Sequence, residues 1–124
     1  MQRKSSSSVR IFYPRYNREE VIQQLRERLA DLAKELPLSR AVLFGSYARG
    51  NYTVASDIDV LIVYSGKERP DAFAQAKKLL EIPLLQPHVY SEKEYEALRE
   101  TIERMIAGGV LLFPDEEARD KSRT

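Results

Sequence analysis

Two aspartates, Asp57 and Asp59, stand at the start of an apolar run and are the residues whose types and spacing point most directly to chemistry. In a strand, positions two apart share a face, so both carboxylates lie together while Ile58 points into the core. Carboxylates held together repel each other, and a cation between them relieves the repulsion. Mg²⁺ or Mn²⁺, hard ions that take oxygen ligands, suit such a pair. A solvated strand end that discourages edge pairing is the alternative interpretation of this short pattern.

A glycine–serine pair, Gly45-Ser46, directly follows the short apolar run Ala41–Phe44, which we predict to be a buried strand. Glycine at this point lets the backbone approach a ligand closely. Ser46 is predicted to cap a short helix through the N–H of Ala48 or Arg49, and the first N–H groups of that helix offer a site for a phosphate. An ordinary strand-to-helix turn is the alternative.

The chain length between the two motifs constrains the sheet. Ten residues separate Ser46 from Asp57, which gives the pattern Gly-Ser-x10-Asp-x-Asp. One nucleotide reaches both motifs only if the first strand ends beside the start of the second, as neighbouring antiparallel strands do. A parallel pair would hold the motifs roughly 15–20 Å apart, and the connection is close to the minimum for a parallel crossover. We therefore predict antiparallel first strands in a mixed sheet.

The segments Phe44-Gly-Ser-Tyr-Ala-Arg-Gly50 and Ser56-Asp-Ile-Asp-Val60 resemble the minimal nucleotidyltransferases of the DNA polymerase β-like superfamily. Both segments occur at the family spacing, and a looser similarity of element order covers roughly residues 17–113. The resemblance implies a mixed sheet flanked by helices. It also implies transfer of a nucleoside monophosphate from an NTP, with ATP the expected donor, to an acceptor, with release of pyrophosphate.

The same resemblance assigns roles to individual residues. Gly45 and Ser46 would touch the triphosphate, and Asp57 and Asp59 would bind two Mg²⁺ ions. Two metal ions about 3.5–4 Å apart clamp the attacking and leaving oxygens of an in-line displacement. Arg49 would add positive charge near the phosphates, and a surface or helix-capping arginine is the alternative.

A third carboxylate, which the family normally carries on the third strand, has no counterpart in this sequence. That strand, predicted over Leu84–Tyr90, contains no acid, and Gln86 and His88 on one of its faces are the candidates for the position. The distance from the predicted helix cap at Ser91 favours Gln86, a poor Mg²⁺ ligand that cannot act as a base. His88 would be a base or a ligand, or a strand-edge histidine hydrogen-bonded to a neighbour. The gap makes a catalytically weak or inactive nucleotide-binding module the alternative to an enzyme.

Helical periodicity predicts three helices. The first begins at Asn17, which precedes an acid at capping-box spacing, and ends at Pro37. The second has Pro70 in its first turn. The third begins at Ser91, which forms a capping box with Glu94. The apolar faces predicted for the three helices are Val21, Leu25, Leu29, Leu32 and Leu36; Phe73, Ala76, Leu79 and Leu80; and Tyr95, Leu98, Ile102, Met105 and Ile106.

The strands complete the predicted architecture. The second strand covers Asp57–Tyr64, Pro87 favours an edge position for the third, and Val110–Phe113 is a candidate last strand. The order α-β-β-α-β-α gives the fold class α/β, in its α+β form: a nucleotidyltransferase-like mixed sheet with flanking helices.

Length and composition limit the remaining possibilities. The 124 residues suit one domain, predicted over 11–113, between a flexible, Ser-rich tail at 1–10 and a charged tail at 114–124. The net charge of +1 gives no strong nucleic-acid signal, and no apolar run predicts a membrane span or signal peptide, so we expect a cytoplasmic protein. The absence of cysteine excludes disulfides, thiolate metal sites and a cysteine nucleophile.

The expected partners follow from the small core and from the resemblance. A thin core favours a protein partner or a homo-oligomer, and the apolar segments Ile11–Tyr16 and Val110–Phe113 are compatible with either. Many minimal domains of this family resemble antitoxins of toxin–antitoxin pairs, whose partner is a helical HEPN-domain protein that some of them modify with AMP. The acceptor is therefore expected to be a protein or a small molecule.

Overall fold

The computed structural model describes residues 17–53 and 55–114. The predicted segment Ile11–Tyr16, the predicted tail 1–10 and all but the first residue of the tail 114–124 lie outside the described residues. Nine elements follow one another: α1 (Arg18–Glu35), β1 (Leu38–Phe44), α2 (Ser46–Arg49), β2 (Ile58–Tyr64), α3 (Ala72–Leu80), β3 (Leu85–Ser91), α4 (Glu92–Ala97), α5 (Arg99–Met105) and β4 (Val110–Phe113).

One four-stranded sheet, in the order β3-β2-β1-β4, organises the described residues. Strands β1 and β2 are antiparallel, as the motif spacing predicted, and β4 runs antiparallel to β1 on the other side. Strands β2 and β3 are parallel, so the predicted mixed sheet is confirmed. Strand β3 lies at an edge of the sheet, as Pro87 predicted. An edge strand tolerates proline, which has no N–H to donate, because it is paired on one side only.

Helices cover both faces of the sheet. On one face, α1 and α3 bury their apolar stripes against the strands, and the predicted face of α1 is confirmed because all five of its residues are buried. On the other face, Ile102 and Ile106 pack on Val42, Leu61 and Val63. The motif-bearing ends of β1 and β2 are thereby held between two packed layers.

The two predicted helix starts with capping boxes are confirmed. The Asn17 side chain accepts a hydrogen bond from the Glu20 backbone N–H, and the Glu20 side chain accepts one from the Asn17 N–H. Ser91 and Glu94 make the same reciprocal pair at the start of α4. Each box satisfies two N–H groups that have no partner inside the helix.

Several details of the prediction are wrong. The third helix is two helices: at Leu98 the backbone leaves helical geometry (φ −113°, ψ 19°) and the N–H is shared between the carbonyls of Glu94 and Tyr95. Leu98 is 46% exposed and does not belong to the buried stripe. Phe73 is 50% exposed, because α3 faces the core with Ala72, Ala76 and Leu80. Ser46 is the first residue of α2 rather than its cap, which is Gly45.

None of the described helices is long and apolar enough to cross a membrane.

Candidate active site

Three side chains lie opposite one another across the sheet where β1 ends and β2 begins. Phe44 of β1 pairs with Asp59 of β2, and Asp59 pairs with Gln86 of β3. Asp59 is partly buried, with 28% of its side chain exposed, whereas Gln86 is exposed. Asp57 lies one residue before β2 begins and is exposed, while Ile58 between the two aspartates is buried as predicted. Of the two candidates on β3, Gln86 is therefore the one paired with Asp59 in the strand register.

The backbone turn after β1 lies against the Asp59 carboxylate. Gly45 adopts φ 82° and ψ −156°, a region of backbone conformation that is almost restricted to glycine. A Cβ atom at this position would lie 2.6 Å from Oδ2 of Asp59, too close for any real contact. Glycine is thus required by the conformation of the turn, and a side chain at this position would displace the Asp59 carboxylate. Ser46 follows in the same turn, and Arg49 lies exposed at the end of α2.

His88 reaches the same carboxylate from β3. Its Nε2 lies 3.3 Å from Oδ1 of Asp59, within hydrogen-bonding distance. Its ring lies 5.0 Å from the Phe44 ring, centroid to centroid, at an interplanar angle of 58°. Because His88 is opposite Leu61, it lies one step deeper along the same face than Gln86. The interpretation of His88 as a strand-edge residue hydrogen-bonded to a neighbour matches this geometry, and the neighbour is a candidate metal ligand.

Aromatic stacking and an arginine hold the short helix α2 in place. Tyr47 stacks on Tyr52, with ring centroids 4.1 Å apart and an interplanar angle of 8°. The Tyr52 hydroxyl accepts a hydrogen bond from the Arg18 N–H, and Arg18 Nε donates to the carbonyl of Ala48. Burial raises the pKa of Tyr47, and the neighbouring Tyr52 adds to this shift. The turn at Gly45 is therefore tied to the first turn of α1.

A polar cluster fixes the opposite end of the same sheet face. Arg40 Nη1 of β1 donates to Oε2 of Glu103 on α5 at 2.7 Å, and the Tyr95 hydroxyl donates to the same oxygen. The hydrogen bond from Tyr95, reinforced by that from Arg40, holds the pKa of Glu103 below its usual value. The same bond, together with burial, raises the pKa of Tyr95. This cluster joins α4 and α5 to β1.

The donor set suits one divalent cation better than two. Asp57 and Asp59 offer carboxylate oxygens, which hard cations prefer, whereas Gln86, the residue paired with Asp59, offers only a neutral amide, a poor Mg²⁺ ligand. No three aspartate, glutamate, histidine or cysteine side chains are grouped to hold a metal ion in residues 17–53 and 55–114. The third acid is thus absent from the described residues in three dimensions as well as from the β3 sequence.

The mixed sheet, with its Gly-Ser turn against an aspartate of the Asp-x-Asp pair, is the arrangement that the resemblance to nucleotidyltransferases implied. Residues 22–110 match the family model described as a nucleotidyltransferase domain, and the chain belongs to this family. Domains of this family generally use divalent metal ions.

Similar proteins carry related names. The chain is 40% identical over 63 residues to a protein of Methanocaldococcus jannaschii named "putative protein adenylyltransferase". It is 65% identical over 26 residues to a second protein of that organism with the same description. These alignments cover 51% and 21% of this chain and 60% and 26% of the relatives, so the chain spans less than two thirds of either relative.

A crystal structure of a protein from Sulfolobus solfataricus, described as a "putative nucleotidyltransferase", has a similar fold. It superimposes with a TM-score of 0.55 at 22% identity, over 88% of this chain and 95% of that one. The predicted nucleotidyltransferase fold is confirmed.

Sequence patterns did not indicate the contacts that support the site. Arg18 carried one weak signal, a basic residue in the first turn of a helix, where acids are favoured. No sequence signal indicated the other two contacts, the Tyr47–Tyr52 stack and the Phe44–His88 contact. Each joins segments whose relative placement depends on the fold.

Proposed function

We propose that the chain transfers AMP from ATP to a hydroxyl group of a protein. The observation that carries the proposal is the contact between the Gly45 turn and the Asp59 carboxylate, which makes the triphosphate motif and the metal-binding motif one continuous surface. In the proposed reaction the acceptor oxygen bonds to the α-phosphorus, the bond to the bridging oxygen of pyrophosphate breaks, and the acceptor proton passes to solvent.

Each residue has a proposed task. Asp57 and Asp59 hold Mg²⁺ or Mn²⁺, which when bound supplies Lewis-acid stabilisation of charge on the phosphoryl oxygens. Gly45 and Ser46 bind the triphosphate through the turn, and Arg49 offsets negative charge on the phosphates. The protein's contribution is mainly to orient groups, which is sufficient for a reaction of this kind because little covalent work is required.

The acceptor and its location belong to the same proposal. The names of the two Methanocaldococcus relatives support a protein acceptor. A HEPN-type helical protein, as in toxin–antitoxin pairs, is the first acceptor to test, and the cytoplasm is the expected compartment. Small molecules are the second group of acceptors.

A catalytically weak nucleotide-binding module is the second candidate. Gln86 favours it, because this neutral amide is paired with Asp59, and we take its position as that of the family's third carboxylate. Such a module would bind ATP with one ion and release little pyrophosphate.

The test compares label transfer from ATP labelled at the α-phosphate with label transfer from ATP labelled at the γ-phosphate. The protein is incubated with Mg²⁺ or Mn²⁺, a co-expressed HEPN-type partner, and ATP labelled with ³²P at either the α- or the γ-phosphate. We expect label on the partner from α-labelled ATP only, with one pyrophosphate released per transfer. Asp57→Asn and Asp59→Asn should each lower transfer about a hundredfold or more.

A matched control is Asp31→Asn, which removes an exposed carboxylate of α1 that pairs only loosely with Lys34 at 3.6 Å. This variant should transfer label like the wild type. Binding of ATP without label transfer to the partner, or to proteins and small molecules of a cell extract, would replace the enzyme with the binding module. Transfer from γ-labelled ATP would contradict nucleotidyl transfer altogether.

A further inference from the structure

The Asp59 carboxylate has a neighbour on each oxygen. Oδ2 lies against the Gly45 backbone on β1's side, where a Cβ would come within 2.6 Å of it. Oδ1 lies 3.3 Å from Nε2 of His88 on β3's side. A carboxylate at a partly exposed strand end is otherwise free to exchange between staggered rotamers. Here one contact comes from the end of β1 and the other from β3, the two strands that flank β2. Together they limit the exchange between rotamers.

The histidine itself is held in place. Its ring contacts Phe44, which is buried in the cluster beneath α5, and 34% of the side chain is exposed. A carboxylate that binds a cation only accepts hydrogen bonds, so in the metal-bound site the His88 nitrogen that faces Oδ1 is the donor. That nitrogen then has no lone pair to offer a cation bound by Asp59. Gln86, rather than His88, is the residue opposite Asp59.

We propose that His88 is a positioning residue, which donates a hydrogen bond to Asp59 and orients its carboxylate for a divalent cation. It acts through Asp59 and is neither a metal ligand nor the base that activates the acceptor. The proposal rests on the proposed function, since it takes Asp59 as a metal ligand. Groups that orient a ligating carboxylate typically contribute 10–100-fold to metal affinity. The contribution should be large here, because two carboxylates, instead of three, provide the charge.

The test measures Mn²⁺ binding by electron paramagnetic resonance, from the loss of the free-ion signal, in the full chain without nucleotide. His88→Leu removes the N–H and keeps an apolar contact for Phe44. His88→Gln places an amide N–H at a similar reach. We expect His88→Leu to raise the Kd for Mn²⁺ about tenfold or more, and His88→Gln to stay within about threefold of the wild type. Thermal melting of both variants confirms that they fold.

Pulsed resonance spectra of the bound Mn²⁺ separate positioning from ligation. No signal of a directly coordinated nitrogen should be lost in His88→Leu. A coordinated-nitrogen signal that disappears in this variant would make His88 a ligand and overturn the proposal. Equal weakening in His88→Leu and His88→Gln, or wild-type affinity in His88→Leu, would also overturn it.

Asp59→Asn distinguishes this failure from that of the proposed function. If Asp59→Asn abolishes Mn²⁺ binding while His88→Leu binds normally, the metal site stands and only the positioning role is lost. If Asp59→Asn binds Mn²⁺ like the wild type, or the wild type binds none, the metal site and the role of His88 are both overturned.

Discussion

Gly45→Ala should damage stability and metal binding together. The alanine must adopt φ 82° and ψ −156°, where a non-glycine residue costs about 1–3 kcal/mol. Its Cβ would lie 2.6 Å from Oδ2 of Asp59, so the carboxylate has to move out of its position against the turn. The backbone effect alone lowers the free energy of unfolding by about 1–3 kcal/mol. At about 4 °C per kcal/mol, the melting temperature falls by roughly 4–12 °C.

Gly50→Ala is the matched control for this variant. Gly50 also has positive φ, 84°, but its ψ is 7°, and a Cβ there meets no atom within 4 Å. It should lose about 1 kcal/mol from the left-handed conformation alone and keep its affinity for Mn²⁺. A loss of Mn²⁺ affinity that occurs in Gly45→Ala but not in Gly50→Ala therefore reports the contact with Asp59.

Urea denaturation and Mn²⁺ titration of a double-mutant cycle measure that contact. In an Asp59→Ala background the obstructing carboxylate is gone, so Gly45→Ala should destabilise less than in the wild type, by at least about 0.5 kcal/mol. Equal losses in both backgrounds, together with normal Mn²⁺ binding by Gly45→Ala, would refute the reasoning.

Two further predictions concern the supports of the site. Glu103→Gln should weaken the fall in the free energy of unfolding at acid pH. Because the pKa of Glu103 is lowered in the folded protein, its contribution to stability is present above its ordinary pKa of 4.5 and is lost as the pH falls through the folded value. The raised pKa of Tyr95 gives a contribution that is fully present below its ordinary pKa of 10.0 and lost as the pH rises through the higher folded value. Urea denaturation of Glu103→Gln between pH 3 and pH 7 should show a loss of at most about 1 kcal/mol in the free energy of unfolding at neutral pH. If the variant lost stability at acid pH as steeply as the wild type, the role given to Glu103 would be contradicted. Tyr52→Phe keeps the ring stack but removes the acceptor for the Arg18 N–H, so it should lower the free energy of unfolding by about 0.5–1.5 kcal/mol; wild-type stability in urea would show that this bond does not hold α2.

The order of the elements could be predicted because it depends on local patterns. The capping boxes at Asn17 and Ser91 involve residues three apart, and the buried face of α1 follows one period along one helix. The helix break at Leu98 could not be predicted in this way, because α4 and α5 together read as one continuous apolar stripe and the break lies in backbone hydrogen bonding.

The sequence by itself determined the family, the Gly-Ser and Asp-x-Asp motifs, and the antiparallel pairing of β1 with β2. All three follow from residue types and from the ten residues between the motifs. Only the tertiary structure decided that Gln86 lies opposite Asp59 and that His88 contacts its carboxylate. The physical reason is strand register, since a shift of one residue in β3 would turn both side chains to the other face of the sheet, and neither residue type specifies that register.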